Sequence, residues 1–292
     1  MYELHQVAEH SYYIQSPAKI GLVRLNGTDV CLIDSGSDKE AGRKARQLLD
    51  AAGWHLTAIY NTHSNADHIG GNRYLQGQTG CRIFAPGAEC SFTRHPVLEP
   101  SFLYGGFPPA ELKHKFLMAQ ESDAEPLTPA DLPEGFQILP LPGHFFDMAG
   151  YRDADDVVYL ADCLSSRETL EKYRIGFIYD VAAYLETLEA VKQMRAKMFV
   201  PAHAEATEDI APLAQFNLET VWEIAEKITV LCAEPLCFEQ LLQKLFKAYG
   251  LTMNFEQYVL VGSTVRSYLS WLKDTGKLSA RFEDNLLLWQ RA

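Results

Sequence analysis

The sequence has no apolar run of about 18 residues, so no helical membrane span is expected. Its start, Met1-Tyr2-Glu3-Leu4-His5, has neither a basic stretch nor an apolar stretch, so a secretory leader is not expected. Cysteine is sparse: Cys31, Cys81, Cys90, Cys163, Cys232 and Cys237 are scattered over 292 residues without paired spacing. That excludes a disulfide-stapled scaffold and points to free thiols in a reducing, cytoplasmic compartment. Positive charge is also short. Lys and Arg number 26 against 38 Asp and Glu, a net charge of −12. Such a chain repels phosphate backbones at long range, so nucleic acid is not an expected partner. Repeats and low-complexity tracts are missing as well. What remains is 47% hydrophobic and 22% charged, the balance of a globular protein with a real core. The length suggests two domains, or one large domain with an appendage.

The first third reads as strands joined by tight turns: 12–14, 20–25, 30–33 and 56–60. Asn26-Gly27 predicts a hairpin with positive φ at both turn residues. Ala41, Ala45, Leu48, Leu49 and Ala52 recur at helical spacing over 39–52, and Gly53 fits as the stop. Residues 86–133 are proline-dense and aperiodic, the composition of a lid, a pocket wall or an insertion. Strands resume at 136–139, 157–160 and 197–200, with a helix over 180–195. After about residue 206 the pattern turns helical (211–232, 238–249 and 255–272) and closes on an apolar piece, 285–289. Residues 208–292 carry 8 basic and 11 acidic side chains. Helices followed by a strand pair suggest a winged-helix-like appendage, and its net charge of −3 suits packing or dimerisation better than DNA reading.

The informative stretch is His63-Ser64-Asn65-Ala66-Asp67-His68-Ile69-Gly70-Gly71, directly after a predicted buried strand. Two imidazoles and a carboxylate within six residues suit a first-row divalent ion. Gly70-Gly71 is expected to let the backbone pass close to that site. His144, Asp162 and His203 each follow a predicted strand as well. Any one of them alone reads as a turn or cap residue. Cys163, next to Asp162, should point the opposite way into the core.

In order and context, these residues resemble the metallo-β-lactamase superfamily, which includes glyoxalase II-like hydrolases. Its motif is His-x-His-x-Asp-His, followed by a distant His, a bridging Asp and a last His. Asp34-Ser35-Gly36 is similar to the family's Asp-Thr/Ser-Gly turn. The resemblance covers roughly residues 10–206. It implies an α/β fold, an αββα sandwich, as a catalytic domain over 1–206 with a C-terminal helical, winged-helix-like domain over 207–292. It further implies one ion on His63, position 65 and His144, a second on Asp67, His68 and His203, and Asp162 bridging them. Asp34 would lie under the motif and hold it in place.

Position 65 departs from the family, with Asn65 where the motif has its second His. A carboxamide oxygen is a harder and weaker donor than imidazole. Asn65 can ligate through oxygen, the first position can stand empty, or His63, His144 and Asp162 can hold iron. The implied activity is metal-dependent hydrolysis of a small ester-, thioester- or lactone-like substrate, with zinc (one or two ions), iron or manganese as cofactor. Asp67 would be a ligand that also helps orient or deprotonate the attacking water. A mononuclear iron persulfide dioxygenase and a ribonuclease are the alternatives on the same fold. A small-molecule substrate and a homodimer are the expected partners. Pocket-wall candidates are Arg94, His95, Tyr104, Phe107 and His114, with Lys172, Tyr173 and Tyr179 further along.

Overall fold

A computed structural model describes residues 2–292 of the chain. Strands β1 (Glu3–Gln6), β2 (Ser11–Gln15), β3 (Ile20–Arg24) and β4 (Asp29–Ile33) pair antiparallel in sequence order. Helix α1 (Lys39–Ala52) starts where Asp38 accepts a bond from the Ala41 N–H, and it stops at Gly53, whose φ is 69°. The helix returns the chain across the sheet, so β5 (His55–Tyr60) runs parallel to β4. Short helices α2 (Ala66–Ile69) and α3 (Asn72–Thr79) lead to β6 (Arg82–Ala85). Then α4 (Glu89–Arg94) and α5 (Leu98–Tyr104) precede β7 (Ala124–Pro126), which completes a seven-stranded sheet ordered β1 to β7.

The second sheet has the order β11-β10-β9-β8. It is built from β8 (Gln137–Pro140), β9 (Ala149–Arg152), β10 (Val157–Ala161) and, after α6 (Arg167–Tyr173) and α7 (Val181–Gln193), β11 (Met198–Pro201). Helices α8 (Ala211–Leu231), α9 (Phe238–Tyr249) and α10 (Phe255–Asp274) follow, then a hairpin of β12 (Leu278–Glu283) and β13 (Leu286–Arg291).

Side-chain alternation along the strands sorts the core into layers. On β4, Val30 and Leu32 face Ala45 and Leu49 of α1, while Cys31 and Ile33 face the other sheet. On β10, Val157 and Tyr159 meet that inner face, while Val158 and Leu160 turn to Leu188 and Val191 of α7. The result is helix, sheet, sheet, helix, the αββα arrangement. The outermost cluster runs without a break into Ile224 and Ile228 of α8, Leu245 of α9 and Tyr268 of α10. No helix among the described residues is long and apolar enough to cross a membrane. All six cysteines are free, and Cys163 packs in the core.

Two local expectations need correction. Asn26 and Gly27 do join β3 to β4, but neither has positive φ. The Asn26 side chain instead accepts from the Asp29 N–H and donates to the Asp29 carboxylate, both at 3.1 Å, so a side-chain-closed turn replaces the one expected. The two-residue turn with positive φ lies at Asp284-Asn285 (48° and 61°), between β12 and β13.

Candidate metal centre

The centre forms where β4, β5, β10 and β11 end. Asp34 follows β4 with φ 63°, a left-handed conformation that aims its carboxylate at the neighbouring strand end. There it accepts from the Thr62 N–H (2.8 Å) and the Thr62 hydroxyl (2.7 Å), and it meets His68 Nδ1 at 2.8 Å. Next in the chain, the Ser35 N–H and hydroxyl donate to the His68 carbonyl (2.8 and 3.1 Å). A Cβ on Gly70 would come within 2.3 Å of the Ser37 backbone, and one on Gly71 within 2.4 Å of the Ser35 carbonyl oxygen. What the glycine pair permits is therefore contact between the motif and the 35–38 loop, not the approach to the site expected of it.

Each of the four imidazoles has Nδ1 against an outer oxygen. His63 faces the Thr62 hydroxyl (3.0 Å), His68 faces Asp34, His144 faces the Phe177 carbonyl (3.1 Å) and His203 faces the Pro17 carbonyl (3.0 Å). These partners fix the ring orientations and leave Nε2 of each ring for the interior. There His203 Nε2 lies 3.2 Å from Asp67 Oδ2 and 3.3 Å from Asp162 Oδ2. His68 Nε2 lies 3.1 Å from Asp162 Oδ1, and His144 Nε2 lies 3.2 Å from Asn65 Oδ1. Two groups result: Asp67, His68, Asp162 and His203 in one, His63, His144 and Asp162 in the other. Asp162 belongs to both.

The charges are strongly coupled. Burial, and next the neighbouring His68 charge, hold His63 well below its ordinary value. Burial likewise lowers His144. Burial also works against a charge on His203, but Asp162 and Asp67 outweigh it and raise its pKa to about 10. Asp162, Asp67 and Asp34 outweigh burial in the same way at His68. The two acids Asp67 and Asp162 are held below the usual carboxylate range, the imidazolium partners overcoming burial.

The donor set fits divalent ions. His63 Nε2 is buried with no hydrogen-bond partner, and His68 Nε2 and Asp162 Oδ1, buried and 3.1 Å apart, meet outside good hydrogen-bond geometry, which is costly for polar atoms that have no other use. His144 makes the same point. Both of its ring nitrogens face oxygen acceptors, yet a neutral imidazole has one N–H. A cation beside Nε2 would relieve that contact.

The sequence pattern of the metallo-beta-lactamase superfamily matches residues 15–203. The chain belongs to that superfamily. A hydroxyacylglutathione hydrolase of Rhodospirillum rubrum is 37% identical over 81 residues, 28% of each chain. Another, of Bradyrhizobium sp. (strain BTAi1), is 34% identical over 128 residues, 44% of this chain and 41% of that one. The matches thus span about 28–41% of those relatives' lengths. A beta-lactamase domain protein from Burkholderia ambifaria superposes over 99% of this chain and 94% of its own, with TM-score 0.77 at 18% identity. A metallo-beta-lactamase family protein from Thermus thermophilus covers 94% of both chains, with TM-score 0.72 at 17% identity. Both structures show the fold.

Within this superfamily member, the structure gives the sequence candidates different places. His63, Asn65, Asp67, His68, His144, Asp162 and His203 come together, with Asp34 behind His68. Of the pocket-wall candidates, Tyr104 and Tyr179 line a cavity of about 990 Å³ with Phe102 and Asp180. Tyr179 also stacks on Phe146 at 4.3 Å. Arg94 instead donates to the Ala124 carbonyl, His114 accepts from the Phe116 N–H, and Phe107 is exposed beside Lys113. His95 lines a different cavity, with Arg73. Tyr173 is exposed with Lys172 over its ring.

Sequence reasoning missed several supports. Lys19 grips the turn that carries His203, with its backbone N–H on the Ala202 carbonyl and its Nζ on the Ala204 carbonyl. Glu89 and Glu99, both buried, hold the motif from outside. Burial pushes Glu89 up to about 7 and holds Glu99 well above its ordinary value. Glutamates at aperiodic positions of a proline-dense stretch give no local signal of burial.

Proposed function

We propose that the chain is a metal-dependent hydrolase of a small thioester-, ester- or lactone-like substrate. One observation carries this reading: four imidazole Nε2 atoms, each with Nδ1 engaged outside, converge on Asp67 and the shared Asp162. A bound divalent ion supplies a Lewis acid and makes a water acidic near neutral pH. His63 and His68 sit at the closed end of the centre, and Asp67 and His203 at its open edge, where their side chains are 36% and 26% exposed. Substrate therefore approaches from the Asp67 side. In this reading Asp67, at the open edge beside His203, would orient an attacking water or take its proton. Asp34 keeps the His68 ring from turning as charge develops. Phe102, Phe146 and Tyr179 form an aromatic wall near His144 that suits the apolar part of a substrate.

Thioesters head the list because relatives of this chain carry the name hydroxyacylglutathione hydrolase. The residues fit one or two zinc ions, and manganese or iron would suit the same donors. The C-terminal unit, 207–292, is read as a winged-helix-like packing module that also supports a homodimer. The test is metal content of protein purified without added metal, followed by thiol release from a panel of acyl thioesters. One or two zinc or manganese ions per chain, and turnover lost in His68→Ala and His203→Ala, are expected. Protein that binds no ion would end this reading. The His63, His144 and Asp162 trio has the two-His, one-carboxylate composition of iron oxygenases. About one iron per chain with oxygen uptake on a persulfide would favour that chemistry instead.

A further inference from the structure

The segment between β6 and β7 carries two acids that the hydrolytic reading leaves unused. Glu89 on α4 and Glu99 on α5 are 0% and 5% exposed. A carboxyl group taken out of water needs donors. Both find them on the same turn, between β5 and α2. Glu89 accepts from the Ser64 N–H (3.0 Å) and the Ser64 hydroxyl (2.5 Å). Glu99 Oε1 accepts from Asn65 Nδ2 at 2.9 Å. Two successive motif residues, Ser64 and Asn65, are thus gripped from outside by two buried acids.

The direction of the Glu99 bond decides which end of Asn65 faces inward. Oε1 accepts whether or not the other carboxyl oxygen carries a proton, and only the Nδ2 end of a carboxamide donates. With Nδ2 turned outward, Oδ1 points inward, 3.2 Å from His144 Nε2. A flipped amide would set oxygen against oxygen at Glu99 unless a carboxyl proton sat on Oε1 itself. It would also offer the centre an NH₂ group, which has no lone pair for an ion.

We propose that Glu99 is the positioning residue that makes Asn65 an oxygen ligand, so that His63, His144, Asp162 and the Asn65 carboxamide together complete the first ion position. The inference rests on the metal-dependent reading above and adds to it how a chain without the motif's second histidine keeps that position. It also gives α5 a role: the helix sets the polarity of a ligand.

The test is a double-substitution cycle read by ion affinity. Zinc is titrated against a chromophoric chelator into wild type, Glu99→Leu, Asn65→Ala and the double variant, leucine being chosen because a glutamine oxygen would still accept from Asn65 Nδ2. Wild type is expected to bind two ions. Glu99→Leu should weaken the weaker position by about 10- to 100-fold and leave the tighter one unchanged. Asn65→Ala should weaken that same position, and adding Glu99→Leu to it should cost nothing further. Equal losses from Glu99→Leu with and without Asn65 would show a brace that does not act through Asn65, and would overturn the inference. So would unchanged affinities in Glu99→Leu, or a wild type that binds only one ion, and either leaves the hydrolase reading standing. A wild type that binds no ion overturns both. Should Glu99→Leu fail to fold, labelled wild type decides. Zinc must shift the Asn65 carboxamide carbon while its NH₂ stays protected from exchange, and an unmoved carbon rejects the ligand.

Discussion

Asp34 is a short side chain that meets three donors: the Thr62 N–H, the Thr62 hydroxyl and the His68 ring. Asp34→Ala should weaken ion binding at the His68 position by about 10- to 100-fold, because an unanchored imidazole must be ordered by the ion itself. Chelator competition measures this, and unchanged affinity would mean that His68 is held by packing alone. Glu89 gives a prediction with a definite sign. Burial raises it from an ordinary 4.5 to about 7, so the folded chain binds this proton more tightly than the unfolded chain. Its contribution to stability is therefore full below about pH 4.5 and is lost as pH rises through 7. Urea unfolding of wild type and Glu89→Gln should show their stability difference falling by about 2–3 kcal/mol over that window. A flat difference would show that the Ser64 donors and the Asp147 N–H, 2.9 Å from Glu89 Oε1, keep the carboxylate ionised throughout.

Among the elements, glycines at close contacts differ sharply from glycines in open space. Gly71 lies against the Ser35 carbonyl, which is backbone and cannot swing away. Gly71→Ala should cost about 1–3 kcal/mol by overpacking and should loosen the motif from the 35–38 loop. Gly77 sits in α3 with nothing within 4 Å of its added Cβ, so Gly77→Ala should stabilise by about 0.5–1 kcal/mol. Melting curves of the two variants check both signs, and a stabilised Gly71→Ala would refute the contact. Legibility also divides at this scale. Helix α1 was readable end to end, because apolar spacing and Gly53 agree. Helices α2, α4, α5 and α6 have four to seven residues each, too few turns for a hydrophobic period to appear. Asn26-Gly27 misled because Asp29 offered Asn26 a side-chain partner, which an intrinsic turn preference does not anticipate.

Over the whole molecule, one apolar cluster joins the second sheet to α7, α8, α9 and α10. A chain ending at residue 206 would expose Leu188, Val191 and Phe199 to water in place of Leu218, Val221 and Ile228. Such a truncation should lose cooperative unfolding and near-ultraviolet circular dichroism and should aggregate on a sizing column. A soluble, cooperatively folded fragment that still binds ions would instead establish residues 1–206 as an independent unit.

The sequence by itself determined the strand and helix periods of the first sheet and the candidate ion donors, from His63 to His203. Those properties are local: a period or a donor atom is carried by the residue and its neighbours. The shared place of Asp162 and the place of Asp34 behind the motif came from the family resemblance, whereas tertiary structure alone decided that the Pro17 and Phe177 carbonyls orient the His203 and His144 rings. It alone placed Glu99 on Asn65, 34 positions away along the chain. Hydrogen-bond direction and desolvation depend on which atoms the fold brings within about 3 Å, and no window along the chain contains both partners.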